Sequence, residues 1–153
     1  MLTRLDPYAV APEAIEELIS FQEFLEMSEV DRALVEIIRA RVSQLNGCSQ
    51  GIARHCRVAS GLGESQQRLS SLKDWRSVSM FTPKERAALD WAETVTCLSD
   101  SQLTDEAFET IRHWFTEADI VKLTMIVAAT NAWNRVERSF WRRQTFPSAQ
   151  QGA

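Results

Sequence analysis

Helix start signals recur along the chain and constrain its fold more than any other feature of the sequence. Thr82-Pro83-Lys84-Glu85 combines a capping hydroxyl, a proline at the first helical position and a reciprocal carboxylate, which is the pattern of a capping box. The pairs Ser28 with Asp31 and Thr116 with Asp119 repeat this spacing. Sustained alternation of apolar and polar residues, the pattern of half-buried strands, is absent from the sequence. The sequence therefore predicts an all-α fold.

Apolar residues at helical spacing extend each start signal into a predicted helix. The last of these helices is apolar around most of its circumference from Ile120 to Ala129, so we expect it at the centre of the fold or in a subunit interface. In chain order, the predicted helices follow Pro12, open at Ser28 to Asp31, run from Cys48 to Leu62 and from Glu64 to Trp75, extend from Thr82 to about Cys97, begin at Thr104, and begin at Thr116.

Composition and charge are those of an ordinary globular protein. The chain has 153 residues with 17 Lys and Arg against 21 Asp and Glu, so one domain over residues 1–145 is expected, followed by a flexible tail over 146–153. The modest acidic charge disfavours nucleic acid and anionic membranes as partners. No apolar run is long enough to span a bilayer, and an odd number of cysteines disfavours a disulfide framework. We expect a cytoplasmic protein.

The segment from Cys48 to His55 contains side chains that could act in catalysis. Cys48 follows the predicted turn Asn46-Gly47, so it falls at a helix N-terminus, where the helix dipole lowers thiol pKa values. His55 lies one turn beyond Gly51, while Cys48 is two turns from His55, about 10 Å along the axis. Cys48 could instead be a small packed residue, and His55 a buried histidine with its hydrogen bonds satisfied.

The other polar and sulfur groups of this region have similar alternatives. Glu36 could face His55, or it could merely pair with Arg39 on its own helix. Cys56 lies about 12 Å of helical rise beyond Cys48, too far for a disulfide on a continuous helix, so we expect Cys56 and Cys97 to pack. A metal site is not expected, because Cys48 and His55 do not converge.

The spacing of these residues resembles that of the AhpD-like alkylhydroperoxidases within the carboxymuconolactone decarboxylase family. Glu36 is followed by eleven residues and then by Cys48-x-x-Gly51-x-x-x-His55, which matches the family's Cys-x-x-Cys-x-x-x-His pattern except that Gly51 replaces the second cysteine. The runs from Val42 to Cys48, from Glu85 to Glu93 and from Asn131 to Arg135 extend the resemblance over most of the chain.

The resemblance implies a six- to seven-helix orthogonal bundle assembled as a homo-oligomer, commonly a trimer or hexamer. In the family, the thiol at the second cysteine position attacks a hydroperoxide, the histidine and glutamate relay its proton, and the first cysteine resolves the sulfenic acid. The catalytic candidates here are therefore Cys48, His55 and Glu36, without a bound cofactor or metal. A small hydroperoxide would be the substrate and an external dithiol the reductant.

Three functions remain open at this point. The first is a thiol-dependent antioxidant protein whose activity is weak, limited to one cysteine, or lost, because position 51 has no thiol. The second is a decarboxylase-like enzyme in which His55 and a carboxylate act as acid and base. The third is a non-catalytic oligomeric scaffold in which Gly51 leaves space beside His55 for a small ligand.

Overall fold

Eight α-helices and one 3₁₀ turn make up the regular structure of the computed structural model, which describes residues 4–27, 29–98 and 103–140. No strand occurs within these ranges, and the all-α prediction is confirmed. The helices are α1 (Pro7–Val10), α2 (Pro12–Glu26), α3 (Arg32–Leu45), α4 (Ser49–Gly61), α5 (Gln66–Ser71), α6 (Pro83–Thr96), α7 (Asp105–Arg112) and α8 (Glu117–Phe140), with the 3₁₀ turn Leu72–Asp74 after α5.

The helix count exceeds the predicted six to seven because α1, a single turn capped by Asp6, is not among the predicted helices. The helix predicted from Glu64 to Trp75 is also shorter than expected. It begins after Ser65, whose hydroxyl accepts a hydrogen bond from the Arg68 amide, and it tightens into the 3₁₀ turn after Ser71.

The helix start signals are mostly confirmed. Thr82 Oγ1 accepts from the Glu85 amide at 3.3 Å, and Glu85 Oε2 accepts from the Thr82 amide at 2.7 Å, so the capping box before α6 is complete. The capping box predicted at Ser28 to Asp31 places the start of the helix too early in the chain. Helix α3 starts only after Asp31, whose carboxylate accepts from the Leu34 amide at 2.8 Å, because Asp31 is itself the N-cap. Ser28 lies outside the described residues.

Helix α3 lies at the centre of the fold, because it packs against α4, α6 and α8. Its buried apolar residues divide among three clusters, one of which joins Val35 to residues of α2 and α8. Ile38 and Val42 pack with residues of α6 and α8, whereas Ile37 and Ala40 pack with Leu72 and its neighbours. Almost the whole circumference of α3 is therefore buried, including the side of Glu36.

Helix α8 is less enclosed than its sequence predicted. Ile126 and Val127 are fully buried, but Val121 is 62% exposed and Met125 is 40% exposed in the single chain. A place for α8 wholly at the centre of one subunit is therefore wrong, and its place in a subunit interface stays a prediction. The predicted domain end at residue 145 and the predicted tail over 146–153 lie outside the described residues. Within the described ranges, no helix combines the length and apolarity needed to cross a membrane.

Candidate functional site

Cys48 occupies the junction between α3 and α4. Gly47 precedes it with φ +61, a conformation that favours glycine, and this turn reverses the chain so that Cys48 becomes the N-cap of α4. The Cys48 side chain is buried, and its Sγ donates a hydrogen bond to Glu137 Oε2 of α8 at 2.9 Å. The thiol therefore has a carboxylate partner that the sequence did not predict.

Glu137 is itself buried and held by two other donors. Trp133 Nε1 donates to Glu137 Oε1 at 3.0 Å, and the Arg54 guanidinium forms an ion pair with the same oxygen. One carboxylate oxygen therefore binds the indole and the guanidinium, while the other binds the thiol. Sequence reasoning missed Glu137, and the available signal was weak: Glu137 lies one helical turn after Trp133 and two residues beyond the run that resembles the family.

This environment reverses the expected effect of the helix N-terminus on the thiol. Burial raises the pKa of Cys48 most strongly, the hydrogen bond to Glu137 adds to it, and the pKa reaches about 11. The Gly51 backbone and the Arg54 charge lower the pKa by less. The expectation of a lowered thiol pKa is therefore wrong, because a buried carboxylate faces the sulfur and disfavours a second negative charge.

Glu36 and His55 form a second buried cluster. His55 Nδ1 lies 2.9 Å from Glu36 Oε2, and Arg39 Nη1 donates to Glu36 Oε1 at 2.9 Å. Both interpretations of Glu36 thus hold at once, since it faces His55 and also pairs with Arg39. Burial acts to raise the Glu36 pKa, but the hydrogen bonds and charges of His55 and Arg39 outweigh it, and the pKa is lowered. Arg39 also forms an ion pair with Glu26 of α2.

Gly51 separates the two clusters. A Cβ at this position would lie 2.5 Å from Ser43 Oγ and 2.8 Å from Asn134 Oδ1. Ser43 and Asn134 are almost fully buried and hydrogen-bonded to each other, with Asn134 Nδ2 3.2 Å from Ser43 Oγ. The expected open space at Gly51 is therefore filled, because the missing side chain lets α4 approach α3 and α8 closely.

The hydrogen bonds thus join Cys48 to Glu137 and His55 to Glu36, so the three predicted catalytic residues belong to two clusters. Across the part of the chain that the structure describes, no three histidine, cysteine or acidic side chains converge as metal ligands. Cys48, Cys56 and Cys97 form no disulfide, and Cys56 packs against the apolar cluster around Leu72 as expected.

A surface cleft of about 400 Å³ reaches the Cys48 cluster from outside. Glu137 and Trp133 line it from α8, and Arg54 lines it from α4. The Glu137 carboxylate that binds Cys48 therefore borders the cleft, whereas Cys48 itself is buried behind it. The remaining lining residues are Tyr8, Gln50, Ala53 and Arg57.

The chain is similar to known proteins in sequence and in fold. The uncharacterized protein YdfG of Bacillus subtilis (strain 168) is 32% identical over 143 residues, which span 94% of this chain and 97% of that protein. A solved structure from Agrobacterium tumefaciens is described as a protein of unknown function and a candidate antioxidant defence protein AhpD. It superimposes with a TM-score of 0.89 at 31% identity, covering 96% of this chain and 99% of its own.

A further solved structure, the AhpD core of a peroxidase-related protein from Ralstonia eutropha JMP134, has a TM-score of 0.79 at 21% identity. It covers 89% of this chain and 73% of its own, and at that identity it supports the fold alone. Residues 12–94 match the sequence model of the carboxymuconolactone decarboxylase family. The predicted resemblance is confirmed, and the chain belongs to the carboxymuconolactone decarboxylase family, with an AhpD-like fold.

Proposed function

We propose that this protein is a thiol-dependent antioxidant that reduces small hydroperoxides through Cys48 alone, with Glu137 as the proton acceptor. The observation that carries the proposal is the hydrogen bond of 2.9 Å between Cys48 Sγ and Glu137 Oε2. In the family pattern, the attacking thiol stands at position 51 and is addressed by the histidine. Here position 51 has no side chain, and the remaining cysteine has its own carboxylate on α8.

The proposed reaction balances without a cofactor or metal. Cys48 Sγ attacks the distal oxygen of the hydroperoxide, the S–O bond forms as the O–O bond breaks, and the thiol proton moves to Glu137. Glu137 then protonates the leaving alkoxide, which gives an alcohol and a sulfenic acid on Cys48. One thiol of an external dithiol displaces water from the sulfenic acid, and the second releases Cys48 and leaves the reductant as a disulfide.

A carboxylate base suits a thiol with a raised pKa. At pH 7 a thiol with a pKa of about 11 is ionised in only about one molecule in ten thousand. Attack therefore depends on proton transfer to Glu137 during the step rather than on a standing thiolate. Slow turnover is the expected consequence. His55 and Glu36 are assigned a positioning role, since their contact fixes α4 against α3.

The decisive experiment compares two rates in Glu137→Gln. The uncharged amide should lower the pKa of Cys48, so alkylation by iodoacetamide at pH 7 should speed up tenfold for each unit that the pKa falls. Hydroperoxide consumption with excess dithiol should fall, because the amide cannot accept the proton. Cys48→Ser should abolish turnover, and Cys97→Ser should leave it unchanged.

Turnover that persists in Cys48→Ser would contradict the proposal, as would a Glu137→Gln variant in which both rates rise together. The raised pKa of Cys48 also favours an alternative hypothesis, in which the protein is a non-catalytic scaffold. In that case the parent protein would consume no hydroperoxide. A decarboxylase-like enzyme would instead lose its activity on His55→Ala and be indifferent to Cys48→Ser.

We further propose that the protein works as a homo-oligomer, a trimer or hexamer, in the cytoplasm. The exposed apolar side chains of Val121 and Met125 lie one turn apart on α8, and such a stripe is suited to burial against another subunit. Three cysteines without a disulfide suit a reducing compartment. Sedimentation velocity should show the oligomer, and Val121→Glu with Met125→Glu should dissociate it. A parent protein that sediments as a monomer would contradict this proposal.

A further inference from the structure

A second cleft, on the other side of α8 from Glu137, is lined by three arginines. It has a volume of about 470 Å³ and lies where the N-terminal segment, the turn before Cys48 and the end of α8 meet. Arg4, Arg135 and Arg138 line it together with Asn46, Asn134 and Ser139.

In the part of the chain that the structure describes, all three guanidinium groups donate to uncharged oxygens. Arg4 Nη1 donates to the Ser139 carbonyl at 3.0 Å, and Arg135 Nη1 donates to the Asn131 carbonyl at 2.8 Å and to its side-chain oxygen at 3.2 Å. Arg138 donates to the carbonyl of Asn46. Within the described ranges, none of the three forms an ion pair.

This arrangement differs from that of most other arginines in the protein. Seven of them form ion pairs with Asp or Glu, namely Arg32, Arg39, Arg41, Arg54, Arg68, Arg76 and Arg112. The protein as a whole carries a net charge of −4, so three cations without a carboxylate form a local excess of positive charge. The sequence after α8, residues 141–153, contains no acidic side chain that could neutralise it.

We propose that this cleft binds a small oxyanion ligand that carries two or more negative charges on phosphoryl or carboxylate groups. Guanidinium groups bind both kinds of oxyanion through paired, charge-assisted hydrogen bonds. Three neighbouring cations repel one another, and a bound anion removes that repulsion. The volume is within the range of small-molecule sites. Among the described residues, no aromatic side chain lines the cleft, so recognition rests on the anionic groups. The inference is independent of the peroxidase proposal.

The test is calorimetric titration of the full chain with inorganic pyrophosphate and, separately, with citrate, at a constant ionic strength of about 0.15 M. Saturable binding of either anion, one per chain, is the expected result. Binding of pyrophosphate alone would identify a phosphoryl site, and binding of citrate alone a carboxylate site. Binding of neither anion would overturn the proposal.

Variants distinguish this cleft from general attraction to positive charge. Arg135→Gln should weaken binding by about tenfold or more, because it removes a charged donor. Its guanidinium bonds only to Asn131 within its own helix, so this variant should fold normally even if Arg138→Gln, which releases the Asn46 carbonyl, does not. Arg112→Gln is the matched control, an exposed arginine paired with Glu109. Equal weakening by Arg112→Gln, or no weakening by Arg135→Gln, would overturn the proposal.

Discussion

Gly51 provides the sharpest test of how the site is built, because its replacement should harm the protein although it lies inside a helix. Glycine to alanine in a helix interior ordinarily stabilises by about 1 kcal/mol. At this position, however, a Cβ would lie 2.5 Å from Ser43 Oγ, 2.8 Å from Asn134 Oδ1 and 3.1 Å from Ser43 Cβ. Two of these separations are shorter than real Cβ contacts, so Gly51→Ala must displace both polar side chains.

The cost has two parts that the structure makes separable. Forcing an extra methyl group into a packed interior costs about 1–3 kcal/mol. Displacing Ser43 from Asn134 leaves a buried polar group without its partner, which costs a further 1–3 kcal/mol or so. After the helix gain is subtracted, we expect Gly51→Ala to lower the free energy of unfolding by about 3 kcal/mol.

Urea unfolding followed by far-ultraviolet circular dichroism measures this loss. All variants must be compared at one protein concentration, because an oligomer gains stability by mass action. Gly61→Ala is the matched control, since Gly61 also belongs to α4 but has no atom within 4 Å of its added Cβ. The control should be neutral or slightly stabilising.

A Gly51→Ala protein as stable as the parent, or more stable, would refute the packing argument. A second check uses Ser43→Ala, which removes the hydroxyl that the new Cβ would strike. The double variant should lose less stability than the two single variants together, because the Cβ added at position 51 no longer meets the Ser43 hydroxyl. By the same reasoning, restoring the family's thiol with Gly51→Cys should also destabilise the protein, and it should do so less when Ser43 is replaced.

Three further predictions follow from the charged and capping groups. Alkylation of Cys48 should rise about tenfold per pH unit until the pH reaches about 11; a plateau near pH 8.5, typical of an unfolded thiol, would contradict the buried carboxylate contact. The lowered pKa of Glu36 means that its contribution to stability is present above pH 4.5 and is lost as the pH falls through its lower folded value. Glu36→Gln should therefore cost about 3 kcal/mol at pH 7 and less at pH 3, and a constant difference in urea unfolding would contradict this. Thr82→Ala should cost about 1 kcal/mol in the same assay, and an unchanged stability would show that the capping box is unimportant.

Much of the fold could be predicted from sequence because helix limits depend on neighbours only a few residues away. The hydroxyl, proline and carboxylate at the start of α6 set that start through bonds between Thr82 and Glu85, which are only three residues apart. The predicted start of α3 was wrong by only a few residues. Two capping residues, Ser28 and Asp31, compete there, and the helix begins after Asp31, whose side chain accepts from the Leu34 amide. The short α1 had no periodic pattern to reveal it.

The helical class, the family and the residues of the Glu36 and His55 cluster could be predicted from sequence alone, because spacing along α3 and α4 and the family pattern both pointed to them. The contact between Cys48 and Glu137, a residue 89 positions away, and the filling of the space at Gly51 by Ser43 and Asn134 became visible only in the folded structure. A thiol's pKa and the room beside a glycine depend on what packs against them. That packing is set by how three separate helices converge, and local spacing does not encode it.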